Sequence, residues 1–113
     1  MAPLTQKALI LYAKFDKFSL GTVPVPKPGS GEILIKVKSA ALNPADWKIE
    51  KYGVVLENFP AIGGFDLAGD VEEIGEGVTE FQKGDRVWVI LNPRLLCTDS
   101  GLTFLCEGLR KVI

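Results

Sequence analysis

The stretch Asn43-Pro44-Ala45-Asp46-Trp47-Lys48 has the signature of a helix start. Asn43 is a good N-cap because its side-chain oxygen can accept a hydrogen bond from a free amide of the first turn. Pro44 suits the first helical position, and Asp46 places a negative charge at the positive end of the helix dipole. Gly53 can adopt the left-handed conformation that ends a helix. These signals predict a helix over residues 44–52, which is too short to be stable without tertiary packing.

Two side chains of this helix could take part in binding or catalysis. Lys48 and Tyr52 are four residues apart and therefore share a helix face. A lysine there could meet a phosphate or a ribose, and a tyrosine could donate a proton or a hydrogen bond. The alternative is a surface lysine beside a packed aromatic ring, and the residues alone favour that alternative.

Composition limits the possible functions. The chain has 113 residues, a net charge of −1 and no histidine. This length suits one domain, and the balanced charge predicts neither a nucleic-acid nor a membrane partner. Without histidine, the Ser-His-Asp and Cys-His arrangements of nucleophilic catalysis cannot be formed within the chain. The commonest metal ligand is missing as well.

The two cysteines, Cys97 and Cys106, are too few for a disulfide scaffold or a zinc site. We interpret them as incidental thiols of a reducing compartment. The N-terminal residues lack a basic segment followed by an apolar run, and no apolar stretch is long enough to span a bilayer. We therefore expect a cytoplasmic protein.

Short segments rich in β-formers flank the helix. They predict strands at residues 7–12, 18–26, 32–41, 67–74 and 86–91. The fourth has an imperfect alternation of apolar residues, which indicates a β-bulge. With Gly and Pro turns between them, these segments predict a mostly-β domain, a small barrel with one helix. From about residue 92 the sequence has no sustained period, and residues 110–113 offer no closing element.

Gly75-x-Gly77 superficially resembles a dinucleotide-binding loop. The third small residue of that fingerprint is replaced by Glu80, and no helical pattern follows. A hairpin turn is the better interpretation.

Five motifs in order carry a family resemblance. They are Gly31-Glu32-Ile33-Leu34-Ile35-Lys36-Val37, Ala41-Leu42-Asn43-Pro44-Ala45-Asp46-Trp47-Lys48, Phe59-Pro60-Ala61-Ile62-Gly63-Gly64-Phe65-Asp66-Leu67-Ala68-Gly69, Val71-Glu72-Glu73-Ile74-Gly75 and Lys83-Gly84-Asp85-Arg86-Val87. Together they resemble the N-terminal GroES-like domain of the medium-chain dehydrogenases and reductases. The resemblance implies a partial GroES-like β-barrel over residues 1–89, whereas residues 90–113 form a tail that does not match.

The resemblance also bears on metal binding. Alcohol dehydrogenases of that superfamily hold a catalytic zinc through Cys, His and Glu. In this chain, residues 43–46 replace the Cys-bearing loop, and Gly64-Phe65-Asp66 replaces the Gly-His-Glu step. Without thiolate or imidazole there, no zinc is expected. The chain thus resembles the zinc-independent quinone oxidoreductases and trans-acting enoyl reductases.

In that branch, the segment matching Ala45, Asp46, Trp47 and Lys48 lines the nicotinamide end of an NADPH cleft. The resemblance therefore implies that these residues and Asn43 bind the cofactor. It also implies that Lys48 meets cofactor or substrate, and that Tyr52 lies near a proton-donating tyrosine of some relatives. The hydride comes from the cofactor, so the protein contributes orientation and electrostatics.

Family members continue into a Rossmann domain, which this sequence lacks. We therefore expect a truncated form of an NADPH-dependent oxidoreductase acting on a small molecule, an activated C=C bond or a quinone, and inactive by itself. The alternative is a non-enzymatic GroES-like binding or assembly module. A co-chaperonin needs a mobile loop with an aliphatic hook, and residues 13–31 offer only Val23-Pro24-Val25-Pro26. The strand at 86–91 would lack neighbours, so we also expect low stability or self-association through an exposed strand edge.

Overall fold

A computed structural model describes residues 4–90 and the main chain of residues 110–112. It contains one α-helix, α1 (Pro44–Tyr52). The strands are β1 (Thr5–Leu11), β2 (Ser19–Pro24), β3 (Ile33–Ala40), β4 (Ala61–Ile62), β5 (Asp66–Ile74), β6 (Arg86–Ile90) and β7 (Arg110–Val112). The prediction of a mostly-β fold with one short helix is confirmed.

The strands form two sheets. One has the order β2-β1-β4 and the other the order β6-β5-β3-β7. Every pairing between described strands is antiparallel. The two sheets are not closed into a continuous barrel within the described residues, so the barrel is partial.

The four-stranded sheet is built on β3 and β5. Alternate residues point into one apolar cluster, in which Ile35 and Val71 are almost completely buried. The pairing of β3 with β5 shifts register between Leu34 and Ile35, where one step along β3 is matched by two residues of β5, from Glu73 to Val71. This irregularity is the predicted bulge, and it takes the exposed Glu73 off the apolar face.

A second apolar cluster holds α1. Ile49 is the buried residue of the helix, and it packs with Leu11 of β1 and with Phe65 just before β5. The helix begins after Asn43 and ends before Gly53, which is left-handed with φ 60° and ψ 33°. The predicted helix is thus confirmed at both ends.

Two short strands differ from the sequence-based expectations. β4, which directly follows Pro60, was not among the predicted strands, yet its two residues pair with Ile10 and Leu11 of β1. β7 was also missed, because residues 110–113 were expected to offer no closing element. Its three residues pair with residues 34–36 of β3. Both strands are defined by a distant partner rather than by their own sequence.

Candidate functional site

The first turn of α1 is fixed by a short chain of hydrogen bonds. The Asn43 main-chain N–H donates to Oδ2 of Asp46 at 2.7 Å. The Asn43 side-chain amide donates to Oδ2 of Asp66, the first residue of β5, at 2.8 Å. The other oxygen of Asp46, Oδ1, is buried and has no hydrogen-bond partner among the described residues. The helix start is therefore tied to the four-stranded sheet through Asp66.

The outer face of α1 combines aromatic rings with lysines. Trp47 and Tyr52 are about half exposed, and their rings are 5.9 Å apart between centroids, tilted by 54°. Nζ of Lys48 lies 5.7 Å from the Trp47 ring centroid. Lys51 Nζ lies 5.8 Å from the Trp47 centroid and 5.3 Å from that of Tyr52. These distances are in the range of cation–π contact. We call Trp47, Lys48, Lys51 and Tyr52 the aromatic–lysine face.

This face extends beyond the helix. A Cβ atom added to Gly53, the residue that ends α1, would lie 2.8 Å from side-chain atoms of Lys14 and 2.9 Å from the Phe15 ring. Lys14 Nζ in turn lies 5.5 Å from the Phe15 ring centroid. A third cation and a third exposed ring therefore border the helix end.

The sequence-predicted site residues divide between two faces of α1, because Ala45 packs against the second apolar cluster and Trp47 is exposed. Asn43, Ala45 and Asp46 are partly buried in its first turn, whereas Trp47, Lys48 and Tyr52 are exposed. Lys48 and Tyr52 were expected to share a face, and both approach the Trp47 ring. The lysine that lies against the Tyr52 ring is Lys51. Their roles in binding and catalysis stay predictions.

Two residues of the site were missed. Lys51 follows Trp47 by four positions, a spacing that would have placed the two side chains together on a helix. Asp66 was not among the predicted site residues, because nothing local in the sequence signals its hydrogen bond to Asn43, which is 23 positions away.

A separate groove lies away from α1. It has a volume of about 620 Å³ between β6 and residues 77–81. Its lining is mostly apolar and includes Val78, Phe81 and Trp88, with Glu80 and Arg86 as its charged residues. None of the sequence-predicted site residues lines it, so it does not coincide with the helix site.

Metal ligands and membrane spans were sought in the same part of the chain. Within residues 4–90, no three Cys, Asp or Glu side chains are grouped as metal ligands would be. No helix in that range is long and apolar enough to cross a membrane.

Comparison with known proteins identifies the fold. The sequence-family model of the alcohol dehydrogenase GroES-like domain matches residues 29–110. The chain belongs to this family. The match to the GroES-like domain extends past residue 89, where the sequence analysis ended the domain, and it includes the start of β7.

Curated relatives of this GroES-like chain are oxidoreductases. The chloroplast envelope quinone oxidoreductase homolog of Arabidopsis thaliana is 45% identical over 74 residues, 62% of this chain and 22% of the relative. A trans-enoyl reductase from Penicillium sp. is 43% identical over 90 residues, 78% of this chain and 24% of the relative. The chain thus spans about a quarter of the length of these quinone and enoyl reductases of the medium-chain superfamily.

A solved structure agrees with the sequence relatives. The quinone oxidoreductase from Coxiella burnetii has a TM-score of 0.73 and 27% sequence identity. The superposition covers 96% of this chain and 36% of that protein. The fold expected from the five motifs is therefore confirmed.

Proposed function

We propose that this chain forms the nicotinamide side of a cofactor cleft in a zinc-free, NADPH-dependent reductase. The reductase would pass hydride to a small molecule with an activated C=C bond or a quinone ring. The observation that carries the proposal is the aromatic–lysine face of α1, held in one orientation by the hydrogen bonds of Asn43, Asp46 and Asp66. By itself the chain would not transfer hydride.

The side chains at α1 suit a nicotinamide nucleotide. The half-exposed Trp47 ring offers a flat apolar surface, and the Lys48 ammonium beside it offers a charge for a phosphate or a ribose oxygen. NADPH would supply the hydride, and these residues would orient it.

We propose a zinc-free reductase because of the hydrogen bond between Asn43 and Asp66. Asn43 belongs to the segment that replaces the Cys-bearing loop of alcohol dehydrogenases, and Asp66 stands where the resemblance places their glutamate ligand. In this chain the Asn43 amide nitrogen, which cannot bind a cation, already donates to Asp66. Phe65, at the position of the expected imidazole ligand, is buried in the second apolar cluster. A hydrogen-bonded pair beside an apolar ring is a poor zinc site.

Inactivity of the isolated chain follows from the open face of α1. Hydride transfer needs cofactor and substrate held about 3–3.5 Å apart in an aligned pose. Trp47 and Tyr52 are half exposed, so within the described residues the nucleotide would be held from one side only. Weak binding without turnover is the expected behaviour.

The co-chaperonin alternative has less support. A mobile loop would be needed within residues 13–31, but Ser19–Pro24 is strand β2, paired with β1 over six residues. A paired strand is a poor candidate for a loop that reaches out to a chaperonin.

Nuclear magnetic resonance can test the cofactor side of the proposal. The ¹⁵N-labelled chain is titrated with reduced nicotinamide mononucleotide, and with adenosine 2′,5′-bisphosphate as the matched ligand without nicotinamide. We expect the first ligand to shift amide signals of residues 43–53 and the second to leave them unchanged. Lys48→Ala should weaken the nicotinamide response at least about fivefold, as loss of a charged hydrogen bond would. Lys83→Ala, in a distant turn, should not.

Three results would contradict the proposal. Shifts confined to residues outside α1, or equal shifts with both ligands, would remove the nicotinamide assignment. NADPH oxidation by the pure chain with benzoquinone as acceptor would refute the inactivity.

A further inference from the structure

Strand β6 has an unusual outward surface. Within the described residues it pairs with β5 alone, so its other side is a sheet edge. Val87 and Val89 pack toward the first apolar cluster, whereas Trp88 is 74% exposed and Ile90 69% exposed. An edge with two large exposed apolar side chains is a template for another strand.

The other sheet edges are protected in ordinary ways. β2 ends at Pro24, and Pro26 and Pro28 follow it closely. β4 has two residues, and β7 has three. Proline and very short length are usual devices that prevent edge pairing. β6 has five residues and contains no proline.

We propose that β6 pairs with β6 of a second copy of this chain. The antiparallel register that uses the whole strand places Trp88 opposite its own copy and Arg86 opposite Ile90. Cross-strand aromatic pairs stabilise sheets, and like charges directly opposite destabilise them. In this register the two Arg86 residues are at opposite ends of the pair, about 14 Å apart along the strands at 3.4 Å per residue.

The proposed contact between the two β6 strands is small. Five residues of one strand bury much less than the roughly 800 Å² per partner of a standard stable interface. We therefore expect a reversible dimer that forms with rising concentration, rather than a permanent one. The inference does not depend on the proposed reductase function.

Sedimentation of the full 113-residue chain over a concentration series tests the proposal. The mean mass should rise from that of a monomer toward that of a dimer. Trp88→Lys places a charge at the centre of the pair and should raise the dissociation constant at least tenfold, the effect of about 1.4 kcal/mol. Leu20→Lys is the matched control, because Leu20 is 59% exposed on the protected edge strand β2. It should leave the dissociation constant unchanged.

Hydrogen exchange separates the remaining outcomes. In the dimer, amides of β6 should become more protected as concentration rises, and circular dichroism should report the same fold for both variants. Protected β6 amides in a monomer would mean that the edge is covered within one chain. That result, or a dimer weakened equally by both substitutions, would overturn the proposal.

Discussion

Replacing Ile49 with alanine should loosen the attachment of α1, because Ile49 is the buried residue of this nine-residue helix. The side chain is 2% exposed and packs against Leu11 and Phe65. Ile→Ala removes three carbons, which at about 0.8 kcal/mol each gives about 2.4 kcal/mol of lost burial. The residual cavity adds to this cost, and the better helix propensity of alanine offsets a few tenths. We expect a loss of about 3 kcal/mol.

Urea denaturation measures this loss of stability, at a protein concentration low enough that the chain is monomeric. With a slope of about 1.5 kcal/mol/M, the midpoint should fall by about 2 M. The matched control is Ile74→Ala, the same substitution at a side chain that is 40% exposed at the end of β5. It should cost less than about 1.5 kcal/mol, since fewer contacts are lost. Equal losses for the two variants, or less than about 1 kcal/mol for Ile49→Ala, would refute the claim that Ile49 anchors the helix.

Two further predictions concern the glycines and the proposed absence of zinc. A Cβ on Gly69 would overlap the main-chain oxygen of Lys36, which cannot move without breaking the sheet. Gly69→Ala should therefore cost about 3 kcal/mol or more in urea, a severe case of overpacking. Gly77→Ala, with open space around the Cβ and a φ of +81°, should cost only about 1–2 kcal/mol. The chain purified from zinc-supplemented medium should contain far less than one zinc per molecule by plasma mass spectrometry, and stoichiometric zinc would overturn the zinc-free proposal.

Helix α1 could be predicted to the residue because its signals are local. Asn43, Pro44 and Gly53 each act through the backbone of their own turn, so neighbouring sequence contains the information. The five expected strands were found with ends within two residues for the same kind of reason: an apolar pattern along one segment. β4 and β7 could not be found this way, because each exists through hydrogen bonds to a strand far along the chain.

For the candidate site as well, local features could be predicted and long-range contacts could not. Lys48 and Tyr52 could be assigned to one helix face from their spacing. The contacts of both side chains with Trp47 were not predicted, and the role that the family resemblance gives to this face stays a prediction. The Asn43–Asp66 hydrogen bond could not be predicted, because it joins two elements whose relative position depends on the packed core. The packing of Ile49 between Leu11 and Phe65 likewise brings together three distant segments.

The hydrogen bond between Asn43 and Asp66 also constrains how this domain can change over generations. Replacing Asn43 alone by cysteine would leave the partly buried Asp66 without its donor, and an unsatisfied buried carboxylate costs stability. Replacing Asp66 alone would leave the Asn43 side-chain amide without its hydrogen-bond acceptor. The two sites should therefore substitute as a correlated pair among descendants of one ancestor. A lineage passing between metal-binding and metal-free forms would have to cross a less stable intermediate sequence.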